Sequence, residues 1–166
     1  MVSGVFWDAS ALVKAYTKED GTPNVTSALA LRNVRGFVTD FVTLEVITAL
    51  GKKVRTFDIT KTVYRGALAE LRQDLQSGLV VLEVERQTRD RSHQLAEKYR
   101  ALGTSAMDLL HLACAHQAAA MCHPRPLVML CADKPLLDAA RNEGLAVYNP
   151  ATHPHAALRS ALDLRS

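Results

Sequence analysis

Val5-Phe6-Trp7-Asp8-Ala9-Ser10-Ala11-Leu12-Val13-Lys14 decides the fold. Val5, Phe6 and Trp7 make a short run with no polar face, the pattern of a strand buried on both sides. The run stops on an acid. From Ser10 onward Leu12, Val13 and Tyr16 follow helical spacing. A carboxylate at the carboxyl end of a buried strand, just before a helix, lies where open α/β sheets place their ligand crevice. Asp8 also has a second reading. Asp and Ser both cap helices, and either Asp8 or Ser10 can simply start this one.

The same alternation continues outward from this stretch. Pro23 suits a first helical turn, with Val25, Leu29 and Leu31 carrying a helix to about Arg32. Residues 36–39 read as a second strand, followed by Asp40 and a helix over 41–55. Asp58 or Thr60 caps the next helix, which Ser77-Gly78 ends. Residues 79–84 form a third strand, 88–102 a polar helix and 105–121 an Ala- and Leu-rich helix closed by Pro124 and Pro126. Residues 127–131 form the most apolar strand. Asp133, a helix to 142 or 143 and a short strand at 146–148 complete the series. Short apolar strands alternating with helices predict an α/β domain, a parallel sheet covered on both faces. That domain is expected over residues 1–150, with 151–166 a C-terminal tail or short helix that docks, meets a partner or frays.

Composition sets the limits. A chain of 166 residues, 48% apolar and 22% charged, holds one globular domain with a real core. It contains no apolar run long enough for a membrane span, and its start lacks the pattern of a signal peptide. Three cysteines without a C-x-x-C pair argue against a disulfide framework and fit a reducing cytoplasm. The net charge is only +3. If four acids share one pocket, 20 Lys and Arg face 13 acids elsewhere, a balance of +7 that attracts phosphates. Scattered Lys and Arg are also ordinary solvated helix faces.

Four acids stand at special places. Asp8 ends the first strand and Asp133 the fourth, so both belong to one edge of a parallel sheet. Glu45 lies early in the helix after the second strand, and Asp108 in the first turns of an apolar helix. Neither has a Lys or Arg three or four residues away. Each has a plain alternative: Ser105-Ala106-Met107-Asp108 matches a capping box, Asp133 is a plausible N-cap, and Glu45 can meet a distant arginine. If gathered, such acids repel, by about 3–4 kcal/mol for two carboxylates some 4–5 Å apart at an effective dielectric of 20. Either some stay protonated or a cation neutralises them. All-oxygen ligation selects Mg²⁺ or Mn²⁺ over zinc, and such ions suit phosphoryl chemistry. The residues therefore point to a metal-dependent enzyme acting on phosphate esters.

These pieces resemble the PIN-domain ribonucleases, and most closely the VapC toxins of toxin–antitoxin pairs. The resemblance rests on Asp8-Ala9-Ser10-Ala11-Leu12-Val13-Lys14, Thr43-Leu44-Glu45, Asp108-Leu109-Leu110-His111-Leu112-Ala113 and Ala132-Asp133, and spans about residues 4–150. It implies a PIN-like fold with a five-stranded parallel sheet in order 3-2-1-4-5. It implies a cytoplasmic RNA endonuclease with Asp8, Glu45, Asp108 and Asp133 around Mg²⁺ or Mn²⁺, and Ser10 beside the metal-bound water unless it is an N-cap. It implies a homodimer inhibited by a small VapB-like antitoxin. One departure is Cys131, where the family often has Ser or Thr two positions before the last acid; a thiol is a weak hydrogen-bond donor and a poor ligand for Mg²⁺.

Other residues carry competing roles. Asp40 is expected to cap the helix after it rather than join the acids, and Thr39 and Thr43 divide between site and cap. Lys14 and Lys134 are candidates for phosphate contact or plain solvated charges. His111, Cys114, His116, Cys122 and His123 match no familiar zinc spacing. The rivals to a toxin are a PIN nuclease of RNA processing and a PIN-fold binding module without chemistry. An aspartyl phosphatase or receiver would need a second acid next to Asp8, which Ala9-Ser10 does not supply.

Overall fold

The computed structural model describes residues 2–164. Five parallel strands form one sheet: β1 (Ser3–Trp7), β2 (Val34–Thr39), β3 (Leu79–Leu82), β4 (Leu127–Leu130) and β5 (Ala146–Tyr148). Their order is β3-β2-β1-β4-β5, the order the resemblance implies. The helices are α1 (Ala9–Leu12), α2 (Thr22–Leu29), α3 (Val42–Arg55), α4 (Lys61–Ser77), α5 (Arg86–Lys98), α6 (Ala106–Cys122), α7 (Lys134–Asn142) and α8 (His155–Ala161). The helix expected to run on from Ser10 is shorter. After Leu12 the chain tightens into a 3-10 turn, Val13–Ala15, a common way for a helix to end.

Side-chain alternation splits the core in two. Val5 and Trp7 of β1, with Val128 and Leu130 of β4, face one layer together with Leu12, Val46 and Leu50. Phe6, Phe37 and Met129 face the other, against Leu109, Leu112 and Ala115 of α6. Both faces of the central strands are dry, which is why they read as continuous apolar runs rather than alternating ones. Burial of each large apolar side chain contributes roughly 1.5–3 kcal/mol.

Gly4 sets how closely α6 approaches the sheet. A Cβ there would come within 2.5 Å of Cys122 Sγ at the end of α6. This close seat matters because α6 carries Asp108 and His111. At the opposite side the tail docks rather than frays over the described residues. Leu158 and Leu162 are buried, Ser3 Oγ donates to Leu162 O at 2.9 Å, and Asn24 Nδ2 donates to the carbonyls of Pro150 and His153. Residues 165 and 166 of the tail, like Met1, lie outside the described residues.

Candidate active site

Parallel register brings the first acid to the carboxyl edge. Phe6 pairs with Phe37 on one side and Met129 on the other, so Asp8 lies level with Thr39 and Cys131. Asp8 N donates to Leu130 O at 3.0 Å, continuing the sheet by one bond. The Asp8 carboxylate caps α1, accepting from Ser10 N at 2.9 Å and from the Ser10 hydroxyl. The capping reading therefore holds, and it leaves Asp8 Oδ1 aimed elsewhere.

Asp8 Oδ1 meets His111 Nδ1 at 2.7 Å. The other ring nitrogen, Nε2, stands 3.2 Å from Thr39 Oγ1 and 2.8 Å from Glu45 Oε2. The Glu45 contact is a charge pairing rather than an aligned hydrogen bond, and that buried oxygen has no other partner. His111 thus sits between the two acids of β1 and α3. Burial would lower its pKa, but the contacts with Asp8 and then Glu45 outweigh burial and push it up to about 10. Burial would raise the Asp8 pKa, and its bonds from His111 and Ser10 hold it below the ordinary value instead.

This corrects the expectation of four unpaired acids. Asp8 and Glu45 share an internal cation, and Glu45 meets a histidine rather than an arginine. The sequence did hold a signal. A histidine inside an apolar helix must find a polar partner when buried, and a run of apolar neighbours foretold its burial. The partners lay more than 60 residues away in sequence, beyond any local spacing rule.

The other two acids stay at helix starts. Asp108 completes the capping box: Asp108 N donates to Ser105 Oγ at 3.1 Å, and Ser105 N to Asp108 Oδ2 at 2.6 Å. Asp133 caps α7, its Oδ1 accepting from Leu136 N at 3.0 Å. Ser10 stitches β1 to β4: its hydroxyl accepts from Ala132 N at 3.0 Å and lies 3.6 Å from Cys131 Sγ. Cys131 Sγ in turn accepts from Asp133 N at 3.2 Å. Asp40 is exposed and does not cap α3; the N-cap position falls on Phe41, whose side chain has no acceptor, and Thr39 turns inward to His111. The two lysines differ: Lys14 is buried, whereas Lys134 is exposed in a surface pair. Lys14 is buried against Glu19 at 2.7 Å, and Lys134 pairs with Asp138 at 3.1 Å.

Among the described residues, no three His, Cys, Asp or Glu side chains close around one point that would hold a metal. The donor chemistry nevertheless fits a hard divalent ion. Asp8 and Glu45 supply the carboxylate oxygens such an ion prefers, and Glu45 Oε2 is buried without a hydrogen bond, faced by His111 Nε2 at 2.8 Å.

A PIN-domain family model matches residues 5–122. No curated protein matches the chain in sequence. Similar solved structures include VapBC2 of Rickettsia felis bound to a DNA fragment from its promoter. Identity there is 17%, covering 88% of this chain and 98% of that one, with a TM-score of 0.59. FitAcB of Neisseria gonorrhoeae is 15% identical, covering 90% of this chain and 99% of that one, also at 0.59. FitAB bound to the IR36 DNA fragment is 16% identical, covering 91% and 98%, at 0.54. At these identities the likeness speaks for the fold. With the family model matching well over half of the chain and the 3-2-1-4-5 parallel sheet in place, the chain belongs to the PIN-domain family.

Proposed function

We propose that this chain is a metal-dependent endoribonuclease, the toxin of a type II toxin–antitoxin pair. The observation that carries the reading is Asp8 at the carboxyl edge of a PIN sheet, tied through His111 to Glu45 on the next helix over. In this reading Asp8, Glu45, Asp108 and Asp133 hold Mg²⁺ or Mn²⁺. The bound ion supplies an activated water and stabilises charge on the phosphodiester. Asp8 is fixed by Ser10 and His111, so its carboxylate is oriented before substrate arrives. In this reading the PIN unit spans residues 1–150 and 151–166 form its tail, of which the described part docks through Leu158 and Leu162. The similar structures are of VapBC2 and FitAB, and they support a small VapB-like antitoxin as partner here. A homodimer of the toxin belongs to the same reading and rests on the family resemblance alone.

A second reading has its own support. Asp8, Asp108 and Asp133 all serve as caps and His111 balances two of the acids, so the same geometry serves a PIN-fold binding module without chemistry. Cleavage of bulk RNA with Mg²⁺ or Mn²⁺ and with EDTA separates the two, with end mapping of RNAs cut on induction to identify the target. The nuclease cuts only with metal, and Asp8→Asn abolishes cutting. Absence of cutting under every metal condition by folded, antitoxin-free protein favours the module.

A further inference from the structure

The turn between α3 and α4 carries an aromatic ring that the fold does not use. Phe57 is 93% exposed and its φ is +61°. It stands where glycine usually ends a helix: Asp58 N donates to Lys53 O at 2.9 Å and Phe57 N to Val54 O at 3.2 Å. A bulky residue at positive φ is an outlier, and this ring gains no burial to offset the strain. The ring lines a hollow of about 530 Å³ together with Lys18, Val54, Asp58, Ile59, Lys61 and Val63. A second hollow, of about 310 Å³, continues along the hairpin past Lys61, Tyr64 and Arg65.

Charge accompanies the ring. Residues 51–65 hold Lys52, Lys53, Arg55, Lys61 and Arg65 against a single acid, Asp58. Lys53 pairs with Glu19 at 3.2 Å; the other four cations have no carboxylate partner among the described residues. The hairpin also grows out of the acid site. Glu45 and Phe57 bracket most of α3, roughly 18 Å of helix at 1.5 Å per residue.

We propose that the tip of the α3–α4 hairpin binds single-stranded RNA, with Phe57 stacking on a base and Lys52, Arg55, Lys61 and Arg65 drawing in the neighbouring phosphates. The proposal rests on the reading of this chain as a ribonuclease and extends it to a substrate contact several nucleotides from the acids. A surplus of cations around a lone exposed ring matches what a single strand presents, phosphates between π-faces. A partner protein would meet Lys61 and Arg65 on the rim of the small hollows, with Lys52 and Arg55 nearby in sequence on the same hairpin.

Binding of a labelled single-stranded RNA oligonucleotide, read by anisotropy in EDTA so that no cutting intervenes, tests this. Phe57→Gly suits the backbone and removes no core contact, so the variant folds. Its affinity should fall roughly ten-fold. Phe57→Leu, apolar but without a π-face, should fall as far. Phe57→Trp should retain affinity, and the introduced indole's emission should be quenched by the RNA. Lys61→Gln should reduce the slope of log affinity against log salt by about one. Wild-type affinity in Phe57→Gly overturns the proposal. So does Phe57→Leu binding as well as wild type, which would mean apolar docking. So does loss of a partner protein's binding in Phe57→Gly with RNA affinity unchanged. Because cleavage is off, a failure of the nuclease reading shows in the separate metal-dependent assay and not here.

Discussion

His111 Nδ1 and Asp8 Oδ1 stand 2.7 Å apart with both side chains buried, one on α6 and the other at the end of β1. The pairing joins the helix to the sheet and places positive charge between Asp8 and Glu45. It has a pH signature. The folded-state pKa of His111 is raised from 6.5 to about 10, so its stabilisation is complete below pH 6.5 and is lost as pH rises through about 10. In metal-free protein, urea midpoints should therefore decline across that window. His111→Gln should flatten the decline and remove roughly 3 kcal/mol at neutral pH, as expected when one partner of a buried ion pair is deleted. Parallel pH profiles in wild type and variant would show that His111 does not carry this charge.

Asp8→Asn and Asp108→Asn should differ in stability while agreeing in activity. Repulsion among free acids would make either substitution neutral or stabilising. With His111 in place, Asp8→Asn instead leaves a buried imidazole without its carboxylate and should destabilise by roughly 3 kcal/mol. Asp108→Asn keeps an oxygen for Ser105 N and should lose only about 0.5 kcal/mol. Both should lose metal-dependent cleavage by orders of magnitude. Asp108→Asn is the cleaner test, and full activity in that folded variant would remove Asp108 from the site.

Glu143 should matter more than its place at the end of α7 suggests. Its largely buried carboxylate takes Arg91 Nη2 at 2.7 Å, Lys98 Nζ at 2.6 Å and Tyr99 Oη at 2.7 Å, so it fastens α5 to α7. Burial would raise its pKa, but the bonds from Lys98 and Tyr99 hold it below the usual value. That stabilisation is present above the ordinary glutamate pKa and is lost as pH falls through the depressed one. Glu143→Gln should cost about 1–3 kcal/mol at neutral pH and blunt the acid limb of the stability curve. Unchanged urea midpoints at pH 7 and at pH 4 would show the cluster to be idle.

The strands and helices were legible because the central strands β1 and β4 are dry on both faces and most helices are punctuated by Gly, Pro or a capping residue. Thr60, Ser105 and Asp133 cap where their residue types suggest. Strand order came only from the family resemblance; nothing in the spacing of Val5–Trp7 and Leu127–Leu130 says that they are neighbours. The acids were legible as positions and not as partners. Glu45 and Asp8 meet through His111, a contact that exists only once α6 is seated on Gly4. Asp40 misled because its residue type suits a cap, whereas the backbone at Phe41 starts α3 without one.

Cys131 gives the last prediction. The family's frequent hydroxyl at this place made the thiol look like a defect. The structure gives the thiol a place: Sγ accepts from Asp133 N at 3.2 Å, lies 3.6 Å from Ser10 Oγ, and is fully buried. Burial, reinforced by the Asp8 charge, pushes its pKa far above the ordinary thiol value, so the metal-free protein holds it as a neutral, unreactive thiol at neutral pH. A serine hydroxyl can make the same contacts with better hydrogen bonds, while its smaller volume costs about 1 kcal/mol or less in packing. Cys131→Ser should therefore cleave RNA at the wild-type rate with little change in melting temperature. Native protein should also resist alkylation, since Cys114, Cys122 and Cys131 are all buried, and should expose all three thiols on unfolding. A large loss of cleavage in folded Cys131→Ser, with metal affinity unchanged, would show that the sulfur itself shapes the approach of Asp133.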